Sequence, residues 1–251
     1  MSNPKVAKFE DGIIVNGTFG SPEVDDIIVE YGKLPLVIAD VPYGDVVKDN
    51  WDKGITADNY IQWTKDILGH LVQGGSAYIY GGIGKKGNRV FFEYLSRVEK
   101  ETKATMRNLI TWRKRKGYGK KDDYLFIREE CAWLINDADK PNIFNIPLTD
   151  KERPYAGWDP KYPAKSKYYR VGNVWDHINE LFRDKLHVAE KPWQLAAIMV
   201  NTNSVENDWI LDPFAGSGST ALACRKLNRR FILIEQDLKN FEIIIERLRK
   251  A

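Results

Sequence analysis

Cysteine is scarce: the 251 residues hold only Cys131 and Cys224, far apart and without CxxC or Cys/His spacing. That argues against a disulfide scaffold or a structural zinc site. Histidine is equally thin, with His70, His177 and His187 isolated from one another, so no metal is expected. No stretch approaches the roughly 20 apolar residues of a membrane span, and the opening MSNPKVAKFEDG has no apolar signal core. The expectation is a soluble, cytoplasmic protein with reduced thiols. Internal repeats and low-complexity tracts are missing as well. So is a large excess of one charge: the net value is +3, which says little about partners. The distribution says more, because residues 113–121, RKRKGYGKK, carry six cations and no acid.

What is present is enough apolar material for a real core, 43% hydrophobic and 12% aromatic. Apolar runs bounded by turn residues occur at 34–40, 76–81, 108–112, 131–136, 209–213 and 231–235. Such runs read as strands buried on both faces. Between them lie helical patterns: Tyr60, Trp63, Ile67, Leu68 and Leu71 share one face, and Gly74-Gly75 is expected to end that helix. Alternating strands and helices imply a parallel α/β sheet. From 137 to 185 the rhythm breaks into prolines, tyrosines and tryptophans without sustained periodicity, which reads as an insertion beside the sheet. The chain is therefore read as one domain, 1–251, with halves 1–136 and 186–251 around that insertion.

The loop Asp212-Pro213-Phe214-Ala215-Gly216-Ser217-Gly218-Ser219-Thr220 joins a short apolar strand to a helix. A Walker loop needs Gly-Lys-Ser/Thr and a dinucleotide fingerprint needs GxGxxG; AGSGST is neither. What remains is a tight turn whose small residues let backbone N–H groups approach a ligand at a helix N-terminus. Glu235 ends the next strand, where an acid can accept hydrogen bonds from both hydroxyls of a ribose. Ribose plus carboxylate without a phosphate clamp describes S-adenosylmethionine better than ATP or NAD. Asp212 can meet such a ligand's ammonium group, and Phe214 can lie against its sulfonium side.

DPFAGSGST, the downstream IEQD with Glu235 and Gln236, and the upstream EKPWQL together resemble the cofactor-binding half of the amino-methylating DNA methyltransferases of bacteria and phages. IADVPYG, residues 38–44, resembles the catalytic half. The family pattern is an acid or amide, Pro-Pro and an aromatic at the end of a buried strand; here it reads Asp40-Val41-Pro42-Tyr43, with Val41 in place of the first proline. Catalytic motif first and cofactor loop last is the order of the β group. The likeness runs over about 38–136 and 187–247.

The resemblance implies a Rossmann-like S-adenosylmethionine-dependent methyltransferase core, an α/β fold with a mostly parallel seven-stranded sheet, carrying a target-recognition insertion at 137–185. It implies Asp40, Val41, Pro42 and Tyr43 as catalytic and places Lys191 near the cofactor carboxylate, although Lys191-Pro192 also reads simply as a helix start. Val15-Asn16-Gly17-Thr18 stands where relatives often carry Gly-Asp near the cofactor, and Thr18 supplies no acid there. The implied activity is methylation of adenine N6 in DNA, since cytosine N4 enzymes of this group more often begin the motif with serine. An RNA adenine N6 methyltransferase and a catalytically silent DNA-binding partner subunit stay open, as do a restriction-modification setting and a homodimer.

The chemistry accounts for the residue types. An exocyclic amino nitrogen is a poor nucleophile because its lone pair is conjugated into the base. If the Asp40 carboxylate and the Val41 carbonyl each accept one amino hydrogen, the nitrogen becomes more tetrahedral and its lone pair is aimed, so catalysis is orientation and electrostatics. Valine has the same carbonyl as proline. Tyr43 is expected to stack on an adenine that has left the duplex. Arg113, Lys114, Arg115, Lys116, Lys120 and Lys121 are candidates for phosphate contacts. In the insertion, Lys161, Lys165, Lys167 and Arg170 interleave with Tyr155, Trp158, Tyr162, Tyr168 and Tyr169 as a surface for target recognition on double-stranded DNA.

Overall fold

Five strands run parallel and side by side because their side chains are apolar on both faces. They are β2 (Gly12–Asn16), β11 (Arg230–Glu235), β10 (Trp209–Asp212), β3 (Leu34–Ala39) and β4 (Leu71–Gly81). The antiparallel pair β6 (Phe126–Asn136) and β5 (Ala104–Tyr118) continues the sheet beyond β4, completing the expected seven. Two edge strands were not legible in the sequence. β1 (Lys5–Phe9) forms a hairpin with β2, and β9 (Val174–Trp175) runs parallel to β5, giving the order β1-β2-β11-β10-β3-β4-β6-β5-β9. The computed structural model describes residues 4–43, 53–82, 89–119, 121–122, 124–152, 166–179 and 190–250.

Strand alternation divides the core into two layers. Val37, Ala39, Ala77, Ile79, Ile232 and Ile234 face α1 (Pro22–Val29), α2 (Ala57–His70) and α3 (Val90–Glu101). Leu36, Ile38, Tyr78, Tyr80, Phe231 and Leu233 face α4 (Trp193–Asn203), α5 (Ser219–Lys226) and α6 (Leu238–Lys250). The helix after β3 thus covers one face and the helix after its neighbour β10 covers the other. Where adjacent strands send their connections to opposite faces, a crevice opens at their carboxyl ends, the usual ligand position of such sheets.

One sequence expectation needs correction. The helix containing Tyr60 and Ile67 is capped by Thr56, whose N–H donates to Asn59 Oδ1 at 2.9 Å, and it ends at His70 rather than at Gly74-Gly75. Leu71 already belongs to β4, paired with Leu34. It continued the helical pattern because it faces the same core as Ile67 and Leu68. Gly74, at φ +74°, is needed inside the strand, where a Cβ would lie 3.1 Å from the Asn142 nitrogen. The basic run lies on a strand: residues 113–118 form the outer part of β5, with Arg113 opposite Arg128.

The segment after Asn136 first runs back along the core. Asn145 N–H donates to Thr202 O at 2.8 Å, Asn203 Nδ2 donates to Ile143 O at 2.7 Å, and Phe144 stacks on Trp133. Only then does a separate two-stranded ribbon leave the sheet, β7 (Leu148–Glu152) against β8 (Tyr168–Arg170). β9 follows shortly and pairs with β5 at Thr111 and Trp112. The ribbon is therefore tethered beside the basic half of β5. Lys120 and Lys165, with Tyr155, Trp158, Lys161, Tyr162 and His187, lie outside the described residues.

Candidate active site

β3 and β10 are paired with Leu36 opposite Ile210 and Val37 opposite Leu211, so Asp40 and Asp212 leave the sheet at the same edge. The glycine loop beyond Asp212 is braced from below. Asp212 is buried; its Oδ1 accepts from Phe214 N–H at 3.1 Å and its Oδ2 from Thr220 Oγ1 at 2.6 Å. Burial drives its carboxyl up to about 7, against the Thr220 and Phe214 hydrogen bonds, with the charges of Asp40 and Glu235 adding to the rise. Glu235, at the end of β11, accepts from Gly216 N–H through Oε2 and from Asp237 N–H through Oε1, each at 2.8 Å. Burial raises this carboxyl too, while those backbone N–H groups oppose the rise.

The loop's two glycines have different reasons to be glycine. Gly216 has φ +53°, and a Cβ there would find only Phe214 O, 4.0 Å away. It faces open space. Gly218 has φ +76°, and its Cβ would lie 2.8 Å from Ile244 Cγ2 on α6. Its role is close packing. Ser217 is buried and its carbonyl accepts from Arg247 at 2.8 Å, while Ala215 N–H is held by Ile234 O at 3.0 Å. Pro213 follows the strand end and Ser219 opens α5. Phe214 stands edge-on to Phe19 and Trp63, at centroid distances of 5.9 and 5.2 Å.

Asp40-Val41-Pro42-Tyr43 begins where β3 stops. Val41 is buried, which fixes the loop, while Asp40 and Tyr43 remain partly accessible. Tyr43 Oη donates to Asp40 Oδ1 at 2.8 Å and lies 3.1 Å from Glu129 Oε2 on β6. Lys191 Nζ meets Asp40 Oδ2 at 2.5 Å, Tyr43 Oη at 2.8 Å and Glu129 Oε2 at 3.1 Å. Its ammonium also sits 4.6 Å from the Tyr80 ring centroid, and Lys114 on β5 closes the cluster on Glu129 Oε1. Burial alone would raise the Glu129 carboxyl; the two ammonium groups override it and hold it at about 2. Burial alone would lower the Lys191 ammonium, and Asp40 and Glu129 override that in turn.

A crevice with a glycine cradle on one strand end and an Asp-x-Pro-Tyr loop on the next is accompanied by a match to a family model for DNA methylases of the N6/N4 class, over residues 34–246. The chain belongs to that family. Among its relatives are the type II methyltransferase M.HpaI of Haemophilus parainfluenzae, 27% identical over 88% of this chain and 69% of the relative, and M1.MboII of Moraxella bovis, 28% identical over 81% and 85%. The DNA adenine methyltransferase YhdJ of Escherichia coli is 27% identical over 89% and 80%. In solved structures the same fold is found in M1.HpyAVI with SAM (TM-score 0.64, 19% identity, 93% of this chain and 98% of that one). It is also found in the cytosine-N4-specific PvuII DNA methyltransferase (TM-score 0.68, 15% identity, 95% and 86%).

In this methylase the structure gathers Asp40, Val41, Pro42, Tyr43 and the whole of 212–220 with Glu235 along one sheet edge. Gln236 is exposed beside them, its carbonyl bonded by Asn16 Nδ2 at 3.1 Å. Lys191, expected beside a cofactor carboxylate, has its ammonium among Asp40, Tyr43 and Glu129. Glu129 itself was missed: nothing in IREECAWLIN separates it from an ordinary surface acid until β6 is paired. The contacts of Phe19 and Trp63 with Phe214 were missed for the same reason. The basic run needs one correction, because strand alternation turns Lys114 inward to Glu129 and Trp112. Arg113, Arg115, Lys116 and Lys121 are exposed, as are Tyr168, Tyr169 and Arg170 on the ribbon. Among the described residues no helix is long and apolar enough to cross a membrane, and no cluster of His, Cys, Asp or Glu could hold a metal.

Proposed function

We propose that this methylase transfers a methyl group from S-adenosylmethionine to N6 of an adenine turned out of double-stranded DNA. The observation that carries the reading is the adjacency of Asp40 and the glycine loop at the carboxyl ends of the paired strands β3 and β10. The loop fits the cofactor. Gly216 opens onto space where a Cβ would fill the cradle, Glu235 is a buried acid at the strand end, and the ionised form of Asp212 suits an ammonium group. Pro213, Ala215, Ser217, Gly218, Ser219, Thr220 and Gln236 shape or flank that cradle, and Phe214 with Phe19 and Trp63 forms an aromatic wall. When bound, S-adenosylmethionine supplies a methyl group on a sulfonium centre, already activated for displacement.

The chain's own part is alignment. Asp40 and the Val41 carbonyl accept the two amino hydrogens, which rehybridises the nitrogen and points its lone pair. Tyr43 lies against the base, and extrusion from the duplex gives the amino group access to both acceptors. The Lys191 ammonium balances the charges of Asp40 and Glu129 beside it and, with Lys114, keeps the buried Glu129 ionised. Arg113, Arg115, Lys116 and Lys121 contact phosphates, and Tyr168, Tyr169 and Arg170 on the ribbon read the target site. Aspartate at the head of the motif and a relative named as a DNA adenine methyltransferase support adenine over cytosine. The test is incubation of DNA duplexes with methyl-labelled S-adenosylmethionine, followed by digestion to nucleosides. N6-methyladenine is expected; N4-methylcytosine, or label in RNA alone, would replace this reading.

A further inference from the structure

Glu129 lies outside both recognised motifs, yet its carboxylate reaches Lys191, Lys114 and the Tyr43 hydroxyl at once. We propose that Glu129 is a positioning residue of the methyl transfer: it holds the Lys191 ammonium, which fixes one oxygen of Asp40 and leaves the other for the target amino group. The inference rests on the reading of Asp40 as the acceptor of an amino hydrogen.

A carboxylate on a loop offers two equivalent oxygens and can rotate, whereas an amino hydrogen held in one direction needs an oxygen held in one place. Here Asp40 Oδ2 is taken by Lys191 at 2.5 Å, and among the described residues Oδ1 carries only the Tyr43 hydroxyl at 2.8 Å. That hydroxyl has a single proton and a second acceptor within reach, Glu129 Oε2 at 3.1 Å. Turning the proton from Asp40 to Glu129 frees Oδ1 for the base without leaving the phenol unsatisfied. Glu129 therefore serves twice, as the anchor of Lys191 and as the alternative acceptor for Tyr43.

The charges support the arrangement. Lys114, Glu129, Lys191 and Asp40 alternate in sign along the cluster, two cations against two anions. Among the described residues the other groups facing Lys191 are the rings of Tyr43 and Tyr80 and, on β6, the Cys131 thiol, whose titration is pushed up by burial. Glu130, the next acid on β6, is engaged instead by Thr111 and Arg128. Glu129 is thus the partner that Lys191 shares with no other carboxylate but Asp40 among the described residues.

Glu129→Gln keeps the shape and an acceptor for Tyr43 but deletes the charge. Turnover is expected to fall by about 10- to 100-fold, as for misplacement of a reacting group, with KM for S-adenosylmethionine and DNA changed by no more than about 2- to 3-fold. Lys191 then loses a stabilising anion and gives up its proton at lower pH, so the alkaline limb of the kcat profile moves down by about one unit or more. Because Glu129 acts through Lys191, the Glu129→Gln/Lys191→Gln double variant should be no slower than Lys191→Gln alone. Unchanged turnover and pH limb in Glu129→Gln, or multiplicative losses in the double variant, would overturn the proposal. NMR titration of isotopically labelled lysine side chains, with Lys191→Gln to assign the signal, reads the same link without turnover. A Lys191 signal unmoved by Glu129→Gln refutes the link even if the wild-type chain methylates no DNA, an outcome that would itself refute only the functional reading.

Discussion

Gly216 and Gly218 stand two positions apart in one loop, both in the left-handed region, and one substitution at each separates ligand binding from folding. At Gly216 an added Cβ meets only Phe214 O at 4.0 Å among the described residues, so Gly216→Asp involves no packing clash at Cβ and carries the left-handed backbone cost, about 1 kcal/mol for a residue type that tolerates it. For a chain of this size that is a fall of about 2–4 °C in Tm. The new carboxylate projects into the cradle where the cofactor carboxylate is proposed to lie. Two like charges about 4–5 Å apart at an effective dielectric near 20 repel by about 3–4 kcal/mol, which is roughly a 10²- to 10³-fold loss of affinity. At Gly218 the Cβ falls 2.8 Å from Ile244 Cγ2. Gly218→Ala therefore adds an overpacking cost of about 1–3 kcal/mol to a backbone cost of about 1–2 kcal/mol, a fall of roughly 4–20 °C. Calorimetric titration with S-adenosylmethionine and thermal melts of both variants give the comparison. If Gly216→Asp binds the cofactor like the wild type, the ligand lies elsewhere; if Gly218→Ala melts like the wild type, the packing argument for α6 fails.

The other predictions concern the acids and the basic surface. Asp40→Ala should lower turnover by at least about 10²-fold while calorimetric affinity for S-adenosylmethionine stays near wild type; near-normal turnover would remove Asp40 from the mechanism. The Asp212 carboxyl, raised to about 7 by burial, is neutral in acid and ionised in base, so cofactor affinity should strengthen between about pH 6 and about pH 8, and Asp212→Asn should abolish that dependence. The same raised value makes its contribution to stability fully present below the ordinary carboxyl value of about 4 and lost progressively as pH rises to about 7, which melts of the wild type and Asp212→Asn between about pH 4 and about pH 8 would show. Neutralising Arg113, Arg115 and Lys116 together, leaving Lys114 on Glu129, should weaken binding to every duplex and flatten its salt dependence. Changes at Tyr168, Tyr169 or Arg170 should instead alter which sites are methylated, read by modified-base sequencing; an unchanged salt slope or unchanged site choice would relocate the DNA surface.

What the sequence determined alone is local. A run such as LPLVIA, apolar at every position, can only be a strand covered on both faces, and a loop such as DPFAGSGST can only be a tight turn at a helix N-terminus, because each is decided by a few contiguous residues and their allowed backbone angles. Such local segments carried the fold class, the glycine loop and the Asp-x-Pro-Tyr loop, and the chain order of the two motifs. Tertiary structure alone decided which side chains meet across elements. Leu71 looked helical because helix and strand bury toward one core, and β1 and β9 exist because neighbouring strands leave an edge to pair with. Whether a cation in RKRK faces solvent or the site depends on strand alternation, which turned Lys114 inward and left Arg113 and Arg115 outward. Glu129 becomes part of the site only when β6 pairs with β4 and β5, and Lys191 joins it from a segment some 150 positions beyond Asp40. Sequence separation bears no relation to distance once the sheet has set its order, so a cluster built by strand pairing has no contiguous signature to read.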